Sequence, residues 1–512
     1  MLNIITKSVC LILIFNHMVI GQTAGFFKDI FVDGGVHLTG MINFPAAEGL
    51  DLSVEYLATD AVSAQTSAMI TNAYDSNGHL LYPDREPRFR LLYTNGGSST
   101  SHGTSLEEEG RRKVRTFYKN GGSFMGSCAG AYIASVHWDS TGQNEAYYRI
   151  WPGRTGSTGL IDSHTDHDIP ADSPLLNYFD FGGDLLIANV RHNGGCWARE
   201  DLDFPIQTEI LARYNIPNRV EMHGKASTWA YKPDDNKGRI VVIGSHPEFE
   251  SGGEKLDLAQ AMLLYSLAGV GSPHVKAELN SAEPRVMDQF YEDNNPDFTR
   301  IGDKQYHHFT VDVPPGTDSL TIELDAESGF DFNLYANPDN FAFKQAALFT
   351  CPQEGSNHKL ILPTPQSGIW YIGVECATTV SSANTIYWGK TEVLNGVAYT
   401  IKATWDTTAA VGISDAHIQP SEFRLNQNYP NPFNPSTTIG YSIPEISDMN
   451  LTIYDVSGRT VLIHNELQQS AGHYNFHWNG TDARGLGVPT GVYFVRLEAG
   501  EHSKTIKMVY MK

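Results

Sequence analysis

Residues 121–135, GGSFMGSCAGAYIAS, read as a short buried strand, a sharp turn carrying Cys128, and a helix that opens at once. Within them Gly126-Ser127-Cys128-Ala129-Gly130 has the form glycine–x–nucleophile–x–glycine. In such an elbow the nucleophile sits on a strained strand-to-helix turn, and glycine lets neighbouring backbone pass closely. The turn lifts the sulfur clear of the sheet. It also aims the first free N–H groups of the helix at that spot, where they favour a thiolate and receive a developing oxyanion. The alternative is a glycine-rich turn before a helix with an inert buried thiol, so the surrounding chain has to decide.

Working outward, residues 105–119 read as the helix that delivers the chain into this strand. Ser105 and Glu108 form a capping box, acidic residues fill the first turn, and Asn120-Gly121 ends it. Further helices are expected at 58–73, 129–136 and 254–267, and strands at 29–32, 52–57, 89–94, 123–126, 185–190 and 239–244. Alternation of this kind calls for a mostly parallel α/β sheet, whose sites lie at the carboxyl ends of the strands.

Two stretches fall at such ends. Tyr93-Thr94-Asn95-Gly96-Gly97 follows one strand, and its paired glycines let a backbone N–H, that of Gly97, face the same carbonyl oxygen as the N–H of Ala129. Ser245-His246-Pro247-Glu248 follows another. In an extended segment positions i and i+2 face one side, so Glu248 can orient the His246 imidazole while His246 takes the proton from Cys128. Between the elbow and the histidine, Asp162-Ser-His164-Thr-Asp166-His167-Asp168 has the residue types of a metal site but no firm ligand spacing, and reads as a solvated loop. No metal and no cofactor are expected.

With these residues in view, the region 28–271 resembles the class I glutamine amidotransferase-like fold, and within it the N-terminal domain of the long biotin-protein ligases. The likeness rests on residues 121–132, Trp151-Pro152-Gly153, Asn193-Gly194-Gly195 and Ser245-His246-Pro247-Glu248. It implies Cys128 as nucleophile, His246 as base, Glu248 as its partner, and Gly97 and Ala129 as oxyanion donors. Gly96, Asn193, Gly194 and Gly195 are then candidates for contact with substrate. Asn95 stands where the family has proline, and no ATP-using or biotin-ligase module follows, so neither coupled synthesis nor biotin transfer is implied. The reading is a cysteine hydrolase acting on an amide or peptide bond. Its rival is an exported binding or display protein that keeps the fold without catalysis.

Length and charge bound the rest. At 512 residues the chain exceeds one core. With 36 basic against 58 acidic side chains the net charge is −22, which argues against a nucleic-acid partner. Residues 1–21 have the shape of a secretory signal: Lys7, an apolar run, then Gly21. Of the four cysteines beyond it, Cys351 and Cys376 fall in one β-rich region and are the candidate disulfide pair.

Residues 280–406 alternate strands with Gly, Pro, Asn and Asp turns, as a β-sandwich does. Residues 331–335 and 367–374 resemble the pre-peptidase C-terminal domain of secreted hydrolases, which implies an accessory module. A linker is expected at 407–420. Residues 421–512, opening on Asn426-Gln-Asn-Tyr-Pro-Asn-Pro-Phe-Asn-Pro435, resemble the immunoglobulin-like sorting domain of the type IX secretion system. That likeness implies the secretion machinery as a partner and a secreted or cell-surface location.

Overall fold

The computed structural model describes residues 25–34, 41, 43–57, 77–137, 142–201, 203–290, 295–338, 340–344, 346–351, 354–406, 423–428, 431–433, 436–484 and 486–511. The leader expected at 1–21, the helix expected at 58–73 and the linker expected at 407–420 lie outside them. No helix of the described residues is long and apolar enough to cross a membrane.

The chain is multidomain and rich in β-structure. Its first region is built on an 11-stranded sheet. The strands are β1 (Lys28–Asp33), β2 (Val54–Tyr56), β3 (Phe89–Thr94), β4 (Ser123–Ser127), β5 (Thr155–Ser157), β6 (Ser163–Asp168), β7 (Leu186–His192), β8 (Cys196–Ala198), β9 (Thr208–Asn215), β10 (Ala226–Tyr231) and β11 (Ile240–Ile243). The main path runs β2-β1-β3-β4-β11-β10-β9-β6-β7, with β8 joined to β10 and β5 to β8. From β2 to β11 all pairings are parallel. From β10 onward all are antiparallel. The sheet is therefore mixed where a mostly parallel one was expected. The strands between Thr155 and Tyr231 follow one another without the crossover helix that a parallel connection needs.

Among the described residues five α-helices flank these strands: α1 (Pro45–Glu48), α2 (Ser99–Ser105), α3 (Glu107–Lys119), α4 (Ala129–Ala134) and α5 (Gly253–Leu267). β3, β4 and β11 are buried along their whole length, as strands covered on both faces must be. On one face Phe31, Phe124 and Val242 pack with Val114 and Phe117 of α3 and Ile133 of α4. On the other, Ile30, Met125 and Ile243 pack with Leu258, Met262 and Leu263 of α5. Period-two alternation along each strand divides the apolar residues between these two layers.

The capping box is not formed. α2 runs almost directly into α3, so Ser105 belongs to the last turn of α2 and its hydroxyl donates to the His102 carbonyl at 2.7 Å. Leu106 occupies the cap of α3, and Glu108 pairs with Arg111 and Arg115 instead.

The next region is a β-sandwich of a five-stranded and a four-stranded sheet, beginning at Val275 and ending at Asp406. Cys351 and Cys376 remain free thiols. The strand Phe332–Pro338 lies between them, pairing Leu334 with Cys351 and Phe332 with Cys376. Two strand spacings put the cysteines roughly 10 Å apart, beyond the reach of a disulfide.

This sandwich is docked on the amino ends of the parallel strands. Arg88, just before β3, donates two bonds to Asp303 at 3.1 and 2.9 Å. Asp84 accepts from Lys276 at 2.9 Å and Gln305 at 2.6 Å, and His307 lies 3.0 Å from it. Burial would raise the Asp84 pKa, but the Lys276 charge and the hydrogen bond to His307 hold it below the carboxylate range. Glu55 of β2 accepts from Ser382 at 2.6 Å and from the Thr385 N–H. One apolar core runs without a break from Phe31 and Phe89 to Phe309 and Ile322.

The last region packs a three-stranded sheet on a four-stranded one around its own core, which includes Ile439, Leu451, Trp478, Val495 and Met508.

Candidate active site

Parallel pairing brings three strand ends together. β4 pairs with β3 through Gly126 and Thr94, and with β11 through Ser127 and Ile243. The loops after Thr94, Ser127 and Ile243 thus emerge side by side, and they carry Gly96, Cys128 and His246.

Cys128 sits at φ 50°, ψ −103°, a conformation that a non-glycine residue holds only when its surroundings enforce it. Its N–H donates to the Ile243 carbonyl at 2.9 Å. The flanking glycines have steric reasons. A Cβ on Gly130 would stand 1.9 Å from the Thr94 carbonyl oxygen, and one on Gly126 would stand 2.7 Å from the Gly130 backbone. The elbow therefore needs glycine on both sides of Cys128. The side chain is 4% exposed and lies outside the apolar clusters, whereas Cys196 is built into one. The Cys128 thiol donates to the Asn193 carbonyl at 3.3 Å.

His246 follows β11, its N–H donating to the Arg191 carbonyl at 2.8 Å. Its Nδ1 lies 2.8 Å from Glu248 Oε1, and the Cys128 sulfur is near enough to the ring to act on its charge. The i, i+2 contact was expected from an extended strand. It is made instead by a 3-10 turn, Pro247–Phe249, that folds Glu248 back under the ring. Burial by itself would lower the His246 pKa. The Glu248 carboxylate and the Cys128 sulfur outweigh it and push the value up to about 10. Glu248 is 1% exposed, and its Oε2 has no hydrogen-bond partner among the described residues, so the imidazolium is its main compensation.

Gly96 lies against this ring: a Cβ there would stand 2.2 Å from His246 Cε1. Gly97 follows at φ 146°, exposed beside the elbow. Ala129 opens α4, which is shorter than expected and ends at Ala134. Gly194 and Gly195 present their carbonyls to the Tyr132 hydroxyl at 3.3 and 3.0 Å. Gly195 is buried and Asn193 exposed, so of this loop only Asn193 combines exposure with a contact to the sulfur.

His164 and His167 do not converge. His164 is exposed, while His167 is buried with Nδ1 2.8 Å from Ser227 Oγ and Nε2 3.0 Å from Thr165 Oγ1. Among the described residues no three His, Cys, Asp or Glu side chains are grouped to hold a metal ion. His167 belongs to a buried chain of hydroxyls and imidazoles behind His246. Thr165 Oγ1 is 2.9 Å from Ser245 Oγ, Ser245 Oγ 2.9 Å from His192 Nδ1, and His192 Nε2 2.7 Å from Thr158 Oγ1. Burial lowers the pKa of His167 to about 3 and of His192 to about 4, so both stay neutral. Sequence reading passed over Thr158, His192 and Arg191. Their signal was faint: Arg191 and His192 immediately precede Asn193-Gly194-Gly195, and Ser245 immediately precedes His246.

Two stretches of the chain match known families. The biotin-protein ligase N-terminal family matches residues 83–147, and the FlgD Ig-like domain family matches residues 435–503. The biotin–protein ligase of Schizosaccharomyces pombe is 24% identical over 229 residues, 42% of this chain and 35% of the ligase. An uncharacterised protein of Chlamydia muridarum is 25% identical over 183 residues, 34% of this chain and 66% of its own. The chain thus spans about a third of the first relative and just under two thirds of the second. Among solved structures, a thua-like protein from Parabacteroides merdae is 13% identical, covering 49% of this chain and 93% of its own at a TM-score of 0.28. FlgD from P. aeruginosa is 28% identical over 14% of this chain and 57% of its own, TM-score 0.12. PorZ, a surface component of the type IX secretion system of Porphyromonas gingivalis, is 20% identical over 23% of this chain and 14% of its own, TM-score 0.14. In its elbow region the chain is similar to the N-terminal part of biotin-protein ligases, and in its last region to the Ig-like domain of FlgD.

Proposed function

We propose that the protein is a cysteine hydrolase of the glutamine amidotransferase-like class that cleaves an amide or peptide bond. The observation that supports this most is that Cys128 and the hydrogen-bonded pair His246–Glu248 come together at the carboxyl ends of adjacent parallel strands. In the proposed reaction Cys128 and His246 react as a thiolate–imidazolium pair, the thiol proton resting on the ring that Glu248 favours, and the thiolate attacks the substrate carbonyl. The N–H groups of Gly97 and Ala129 receive the oxyanion. His246 returns the proton to the departing amine, and water then releases the acyl group from the thioester.

Export and type IX sorting of the chain belong to the same proposal, with residues 1–21 as leader and the Ig-like region as address. An enzyme outside the cell has no ATP-using partner, which favours hydrolysis over coupled ammonia transfer. Replacing Cys128 with alanine is expected to abolish turnover across a panel of peptide, glutamine and cell-wall amides, and to abolish labelling by thiol-directed probes. Unchanged labelling of the variant would remove the proposal.

A further inference from the structure

The surface beside His246 holds a cation without a counter-ion among the described residues. Arg191 is exposed at the end of β7, and among the described residues its guanidinium has no ion pair and no hydrogen bond. Its one contact is with a ring, its Cζ lying 5.8 Å from the centre of Phe249. Phe249 in turn lies 6.4 Å from the His246 ring at 27°, and is itself 36% exposed. The neighbouring carboxylates are already engaged: Glu248 by His246, Glu250 by Lys255 at 3.1 Å, and Asp166 by the Asn189 N–H at 2.7 Å. The cross-strand neighbour of Arg191 is the exposed His164, which adds no negative charge. In a chain of net charge −22, an unpaired guanidinium two ring contacts from the triad runs against the prevailing sign.

We propose that Arg191 reads a carboxylate on the substrate, with the Phe249 face covering the apolar stem that bears it. The substrates would then be amides with a free carboxylate one to three residues from the scissile bond, since an extended chain covers about 3.3–3.6 Å per residue. The planar fork of arginine matches a carboxylate in two parallel hydrogen bonds, which lysine does not reproduce. This inference rests on the thiol chemistry proposed above. The backbone carbonyl of Arg191 holds His246 in place and is retained in every side-chain substitution, so R191Q leaves the triad assembled.

The test measures alkylation of Cys128 by peptide mass spectrometry. The reagents are N-iodoacetyl-glycine, -diglycine and -triglycine, each beside its C-terminal amide, on the full chain at low salt. Each forms a thioether with loss of iodide. In the native protein at least one acid should label Cys128 about twofold to fivefold faster than its amide, within the range of an exposed charge pair. R191Q should bring that ratio to one or below, with the amide rate unchanged, and R191K should fall between. An acid-to-amide ratio equal in the native protein and R191Q overturns the carboxylate reading alone. Failure of every reagent to label Cys128 overturns the thiol chemistry and this inference with it.

Discussion

The two ends of the same parallel strands are built on opposite principles. At the amino ends, charges are buried and saturated: Arg88 meets Asp303 in a fork, and Asp84 takes three partners from the sandwich. At the carboxyl ends loose ends remain. Cys128 is held at a positive φ, and, among the described residues, Glu248 leaves one oxygen without a partner and Arg191, on the antiparallel β7 alongside His246, has no anion. A saturated edge contributes stability and offers little to a ligand. Groups held short of satisfaction are what a substrate can complete.

If that division is right, substitutions at the two ends should separate. His246→Ala should cost amide turnover about a thousandfold or more while moving the denaturation midpoint little. Asp303→Ala should do the reverse. Stranding the buried Arg88 should remove about 3–5 kcal/mol of stability in chemical denaturation, with kcat unchanged wherever the protein is still folded. A kcat that fell with Asp303 at constant folded fraction would break the comparison. Gly96→Ala sharpens it from the other side. The added Cβ must push the imidazole aside, so turnover should drop roughly a hundredfold while thiol labelling persists.

The smallest effect is on pH dependence. Because His246 is raised from an ordinary value near 6.5 to about 10, its contribution to stability is complete below the lower value and lost as pH rises through the upper one. Glu248→Gln should bring the imidazole titration, followed by NMR, back toward the ordinary value and flatten stability between pH 7 and 10. A titration left in place by E248Q would mean that the charge on Glu248 does not hold the proton.

The grouping of Cys128, His246 and Glu248 was legible in the sequence because its signals are local. The elbow needs glycines at fixed offsets, and His246 and Glu248 are joined by one turn. The half of the sheet that supports them was not legible. β6, Ser-His-Thr-Asp-His-Asp, carries no aliphatic side chain; its buried face is filled by Thr165 and His167, satisfied by each other and by the hydroxyls of Ser227 and Ser245, so it reads as a loop. Arg191 was missed for a related reason: it comes beside Phe249 only through strand pairing and a turn, and no spacing along the chain announces it. The disulfide expectation failed because proximity in sequence region said nothing of the strand lying between the two cysteines.

The docked sandwich also fixes an order of assembly. Asp84 and Arg88 find their partners more than two hundred positions later, at His307 and Asp303, and Lys28 meets the Ser382 carbonyl still later. A chain made or threaded from its amino terminus therefore has an unfinished first half until the sandwich has emerged. Contacts of such long range close slowly. Competence of the thiol would then arrive late, as the final event in maturation of everything before residue 406.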